Sequence, residues 1–227
     1  MMDMGFLIPT FLLNSALPLL SKRDSEGGET KSMLGKTFLM MLILGSIAAL
    51  FAMLWPRPIV ELLTTNAYLS TPSHPGSDTA LALQALPMFL NGIILFSFYV
   101  LLTRHAWKRL VAILGLGAAL SVTLNLLLIP PMGFLGACVT SIVVSIFLAC
   151  VLLPTSIFAM SFRIELQTLL GWGVFTVLFA LLLFSVHPFL VNELITASAG
   201  VLCTLIGFAL LWGIGLLKSL QLFEKGR

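Results

Sequence analysis

The sequence predicts an all-α integral membrane protein, and three observations carry that prediction. Apolar residues fill 59% of the 227 positions and charged residues only 9%, against about 25% charged in a soluble domain. Seven long apolar runs cover most of the chain. The basic residues crowd into alternate connections between those runs, as the positive-inside rule describes. Backbone polar groups find no water in lipid, so such runs are helices rather than strands. Buried helices of a soluble core would show a polar face, and six of these runs show none.

The first run, Met4–Leu20, is slightly short of the roughly 20 residues that a span needs. It has no basic start and no small-residue cleavage site, so it reads as a span rather than a signal peptide. It closes through Pro18, and a polar loop with Gly27 and Gly28 follows to Lys36. Six further spans are predicted at Thr37–Trp55, Thr79–Leu102, Leu110–Ile129, Phe134–Phe158, Leu169–Leu190 and Ile195–Leu217. Each can cross about 30 Å of hydrocarbon at 1.5 Å per residue. Pro87 frees a carbonyl in the third span and predicts a bend there. After the second span, Ile59–Leu63 is apolar enough to lie on the membrane interface.

The chain is organised around the corner between the fourth and fifth spans. Pro130 and Pro131 lack the N–H and clash with the preceding turn, so they are expected to end the helix. Gly133 is expected to make the turn, and Asn125 to tie the helix end beside it. Gly136 and Ala137 allow two helix backbones to approach closely as they re-enter lipid.

Lys22, Arg23, Lys31, Lys36, Arg104, Lys108, Arg109, Arg163, Lys218, Lys225 and Arg227 all fall on one side, and Arg57 alone on the other. The rule then puts the N-terminus outside and the C-terminus in the cytoplasm. Trp55 is expected at the outer boundary, and Trp107, Trp172 and Trp212 near the inner one. An odd number of spans with an outside N-terminus suggests that further helices precede Met1.

Several functions are argued against. The net charge of +3 lies in short loops, so it is no nucleic-acid signal. Cys138, Cys150 and Cys203 show no pairing or metal-ligand spacing and read as packing residues, with no metal and no cofactor expected. No charged residue or histidine lies mid-span, which argues against an intramembrane protease and a carboxylate proton relay. The one acid–base pattern is His74-x-x-x-Asp78, and a chance neighbourhood in a loop is its simpler reading. No enzyme is expected.

Uncharged polar residues within spans are the remaining candidates. Gln84 and Asn91 lie seven residues apart on one helical face, and with Tyr99 they could wall a substrate cavity. The plainer reading is interhelical hydrogen bonding, worth about 0.6–2 kcal/mol each. Arg104, Lys108 and Arg109 are candidates for contact with a headgroup, although positive-inside bias also accounts for them.

Three stretches, in order, carry a resemblance. They are A-L-P-L-L-S-K-R (Ala16–Arg23), then P-I-V-E-L-L with Tyr68 and A-L-Q-A-L (Pro58–Leu86), then N-L-L-L-I-P-P-M-G-F-L-G-A-C-V-T (Asn125–Thr140). The last is similar to N-x-x-L-I-P-x-x-G-x-x-G-A-x-x-A-T. Together they resemble the C-terminal half of a polysaccharide flippase of the multidrug/oligosaccharidyl-lipid/polysaccharide exporter superfamily. The lipid II flippases share this half, but their basic stretch after F-Y-A is not matched by F-Y-V-L-L-T-R-H (Phe98–His105).

The resemblance implies seven helices forming one lobe of a two-lobe exporter fold, with a lobe core over 1–158 and two additional helices with a cytoplasmic tail over 159–227. It implies movement of a lipid-linked oligosaccharide across the cell membrane, with an N-terminal lobe supplied by a missing segment or another chain. The family's charged cavity residues lie largely in that other half, so none is carried over. A lipid II flippase, a multidrug exporter fragment and a non-transporting assembly subunit remain the alternatives.

Overall fold

The computed structural model describes residues 29–64, 66–71, 74–159, 166–189 and 193–213. These residues are helical apart from short turns and one isolated bridge between Thr71 and His74. The helices are α1 (Glu29–Leu54), α2 (Pro56–Leu63), α3 (Ser77–Leu83), α4 (Ala85–Thr103), α5 (Trp107–Met132), α6 (Phe134–Ala159), α7 (Leu166–Val186) and α8 (Glu193–Gly213). Two 3₁₀ turns, Asn66–Tyr68 and His187–Phe189, complete them.

Six helices, α1 and α4 to α8, are long and apolar enough to cross a membrane. The chain is therefore an all-α, multi-pass protein with six such helices among the described residues, against seven in the sequence reading. The expected first span, Met4–Leu20, and Pro18 within it lie outside the described residues, as do Lys22, Arg23 and the tail after Gly213.

The spans pack in the order α5, α6, α4, α1, α7, α8, so chain order and neighbour order differ. Helix α1 sits centrally and half of its span is covered, whereas α5, at one end of the row, is only 6% covered. Lipid is as apolar as these side chains, so close van der Waals fit rather than water exclusion holds such a row together. Two glycines supply the fit between α1 and α4. A Cβ on Gly92 would stand 3.1 Å from the Met41 carbonyl oxygen, and one on Gly45 3.2 Å from that of Phe89. Phe38 meets Phe96 edge-on at 5.0 Å across the same interface. On the other flank of α1, Phe51, Phe175 and Phe179 form a ring cluster with Trp55.

Two boundaries differ from expectation. Helix α1 begins at Glu29, eight residues before Thr37, because E-T-K-S-M-L-G-K holds mostly helix-compatible residues and a charged turn can stand outside the lipid. The third predicted span is two helices, broken at Gln84. Pro87 has no N–H for the Leu83 carbonyl, so the bend expected from it falls one turn upstream.

The corner also departs from expectation. Pro130 and Pro131 lie inside the last turn of α5, which runs on to Met132. Proline fixes φ near the helical value, and only the carbonyls of Leu126 and Leu127 forfeit their usual donors. Gly133 alone makes the turn, at φ 59° and ψ −136°, and its N–H still bonds the Ile129 carbonyl at 2.7 Å. Asn125 does not tie this corner. Its side chain reaches back to the Ser121 hydroxyl at 3.5 Å, because one helical turn upstream is its nearest polar partner. Gly136 behaves as expected: a Cβ there would overlap the Leu128 carbonyl and crowd the Ile129 nitrogen at 2.9 Å.

The helices of the row end on two opposite faces, a corner end and a basic end. The corner end carries Gly133, α2, α3 and Trp55; the basic end carries Arg104, Lys108 and Arg109.

Candidate functional site

The three proposed cavity residues all belong to the middle of the row but do not converge. Gln84 caps α3 and opens α4. Its Oε1 accepts a hydrogen bond from the Ser141 hydroxyl of α6 at 3.0 Å. Thirteen residues further along α4, the hydroxyls of Ser97 and Ser156 meet at 3.4 Å, and Ser156 also donates to the Leu153 carbonyl at 2.8 Å. These two bridges pin α4 and α6 side by side. Asn91 is half-buried, and its side chain makes no hydrogen bond among the described residues. Tyr99 packs on the core shared by α1, α4 and α6, with its ring edge-on to Phe98 at 5.5 Å.

A cleft of about 270 Å³ does lie within the spans, between α1, α4 and α7. Its lining includes Ser46, Phe89, Trp172 and Thr176, and none of Gln84, Asn91 or Tyr99. Trp172 stacks on Phe89 at 6.1 Å and donates its indole N–H to the Ser46 hydroxyl at 3.0 Å. The Ser46 hydroxyl in turn donates to the Leu42 carbonyl at 2.7 Å. Trp172 is therefore a helix-packing residue rather than the boundary anchor expected of it. Trp55, at the end of α1, is likewise buried against α7. Neither role was visible in the sequence, because an indole within an apolar run looks the same whether it meets lipid or another helix.

At the basic end, α4 stops through a hydrogen-bonded cap. The Ala106 N–H bonds the Leu101 carbonyl at 3.0 Å and the His105 N–H bonds the Leu102 carbonyl at 3.1 Å. His105 holds the left-handed conformation that this cap requires, at φ 52°. Ala106 packs against the apolar cluster of Leu101, Leu110 and Leu152 beside it. Arg104, Lys108 and Arg109 are all exposed around this turn, and Trp107 beside them is 52% exposed. The three cations and the exposed Trp107 thus all stand within six residues of one another at this helix end.

The His74 and Asp78 pattern does not form an acid–base pair. The Asp78 carboxylate is buried and engaged by Ser70, whose N–H donates at 2.8 Å and whose hydroxyl donates to the second oxygen. Burial pushes the Asp78 carboxyl up, but hydrogen bonds from the Ser70 hydroxyl and from the N–H groups of Ser70, Thr79 and Asp78 itself outweigh it and hold the group below its ordinary value. His74 is exposed and exchanges main-chain hydrogen bonds with Thr71 at 2.9 and 3.2 Å. Asp78 thus anchors a loop.

Among the described residues no cluster of three or more metal-ligating side chains forms. Cys138 and Cys203 are buried, Cys150 is exposed, and all three are unpaired. No family model, no curated protein and no solved structure matches this chain.

Proposed function

We propose that this chain is one lobe of a membrane translocator that moves lipid-linked oligosaccharide or polysaccharide precursors across the cytoplasmic membrane by alternating access. The observation that carries the reading is the stretch Asn125–Thr140, which resembles the polysaccharide flippases. Its Gly133 makes the turn and its Gly136 makes the close backbone contact at the corner. The open row of spans agrees with a lobe that works against a second wall.

In this reading the basic end faces the cytoplasm, and Arg104, Lys108 and Arg109 meet the phosphate of the lipid-linked sugar there. Phosphate recognition calls for arginine or lysine, and among the described spans Lys36, Lys108 and Arg109 stand within three residues of a span's end, with none mid-span. The charge that accompanies the substrate through the membrane therefore comes from the second lobe, on the same chain or a partner.

The test uses the full chain in nanodiscs with a photoreactive lipid-linked oligosaccharide. Labelling should exceed that by a photoreactive phospholipid with the same reactive group; equal labelling overturns the translocator reading. In sealed vesicles the chain by itself should move a fluorescent lipid-linked oligosaccharide no faster than protein-free lipid does. Faster movement refutes the need for a second lobe.

A further inference from the structure

A groove of about 520 Å³ opens at the corner end, within the size range of small-molecule sites, roughly 300–1,000 Å³. It is separate from the cleft between α1, α4 and α7. Tyr68 reaches it from the 3₁₀ turn after α2, and Phe134 from the first residue of α6. Thr71, His74 and Ser77 add polar groups to its lining. Tyr68 is 60% exposed and Phe134 44%.

The loop that presents Tyr68 is held firmly. Gly76 lies so close to it that a Cβ would overlap Ser70 and Leu69 and crowd the Tyr68 carbonyl oxygen at 2.7 Å. Asp78 grips Ser70 through both carboxylate oxygens. Thr71 and His74 close the strap by pairing their main chains. Phe134 is set by the Gly133 turn immediately before it. The backbones that present these two exposed rings are thus held in place, and such preorganisation lowers the entropic cost of receiving a ligand.

The lining selects the ligand. Among the described residues no lysine or arginine lines the groove, so a phosphate or carboxylate finds no counter-charge among them. A bare acyl chain makes no use of Thr71, His74 and Ser77. Aromatic faces ringed by hydroxyl and imidazole groups suit an uncharged molecule with an apolar C–H face and a hydroxylated edge. We infer that the groove between Tyr68 and Phe134 binds a neutral saccharide ring, stacked on the aromatic side chains with its hydroxyls toward Thr71, His74 and Ser77. The source of that sugar rests on the translocator reading: the ring belongs to the head of a lipid-linked saccharide on the outer side of the membrane. A soluble glycan tests the groove without that reading.

The experiment is saturation-transfer NMR on the full chain in nanodiscs, which avoid sugar-based detergents. The probes are maltotriose and chitotriose, with sialyllactose as the acidic comparison. Both neutral sugars should receive transfer from the protein, and sialyllactose should receive several-fold less. Tyr68→Ala should cut the neutral transfer at least fivefold with an unchanged melting temperature, and Tyr68→Phe should keep it. Absence of transfer to either neutral sugar, undiminished transfer in Tyr68→Ala, or equal transfer to sialyllactose overturns the inference. Glycan binding without preferential labelling by lipid-linked oligosaccharide leaves the groove and removes the translocator. The reverse pattern removes the groove alone.

Discussion

The indole N–H of Trp55 donates to the main-chain carbonyl of Leu183 at 2.9 Å, across 128 positions of sequence, and both side chains are buried. Leu183 lies in the last turn of α7, where carbonyls lack partners within the helix. Trp55 therefore caps α7 from the end of α1. Trp55→Phe keeps most of the ring contact with Phe51 and orphans the carbonyl, at a cost of about 1–3 kcal/mol. The variant should melt several degrees lower in detergent. An unchanged melting temperature would show that another donor replaces the indole.

Gly136 should be the least replaceable residue of the corner. A side chain there meets backbone of α5, which cannot swing aside as a side chain can. Gly136→Leu should lower the yield of folded protein far more than Phe134→Leu, whose position is open. Gly133→Ala should cost about 1–3 kcal/mol, because its backbone conformation is nearly reserved for glycine. Equal yield and equal detergent stability for the Gly136 and Phe134 variants would contradict the close contact.

His105 should respond to glycine in the opposite direction. Its left-handed backbone costs a non-glycine residue roughly 1–2 kcal/mol, part of which glycine returns as chain entropy in the unfolded state. His105→Gly should raise the melting temperature slightly, and His105→Val should lower it. A rise with valine would mean that the turn is not held in this conformation.

Asp78 makes the strap after α2 acid-sensitive. Its carboxyl titrates below the ordinary value in the folded chain, so its contribution is full above about pH 4 and is lost as pH falls through the folded value. The protection of the Ser70 amide against hydrogen exchange, relative to its intrinsic rate at each pH, should fall in acid. Asp78→Asn should flatten that pH dependence and speed exchange at neutral pH. A protection factor at Ser70 that changes with neither pH nor the substitution would show that the carboxylate does not hold the strap.

Orientation is checked by thiol labelling in a background free of Cys138, Cys150 and Cys203. His74→Cys is exposed at the corner end and should react with an impermeant maleimide on intact cells. Lys108→Cys, exposed at the basic end, should react only after permeabilisation. The reverse pattern inverts the topology.

The spans were legible because charge-free runs admit one solution in lipid, and α6 begins at the expected Phe134. Gly136 was legible too, since a small residue beside a turn signals close approach. The proline pair was misleading: both prolines keep a helical φ within the final turn, at the cost of the donors to Leu126 and Leu127. Polar side chains at helical spacing gave Gln84 and Asn91 as a face, yet the break at Gln84 and its bond to Ser141 are tertiary facts that no single run encodes. The roles of Trp55 and Trp172 depend on partners more than a hundred residues away. The groove at Tyr68 depends on how Gly76 and Asp78 fold back on Ser70.

The mismatch between chain order and neighbour order sets a timetable for biogenesis. The bridges between α4 and α6 span 57 and 59 positions, whereas those between α1 and α7 span 126 and 128. During synthesis α1 and α4 can join at once, and α6 follows when its segment emerges. The flank of α1 that receives α7 must wait in lipid until more than a hundred further residues have been made. Ser46 can wait because its hydroxyl already bonds the Leu42 carbonyl within its own helix. Trp55 has no such local acceptor among the described contacts, so the indole of a nascent chain sits at the membrane edge until the Leu183 carbonyl at the end of α7 arrives to accept its hydrogen bond.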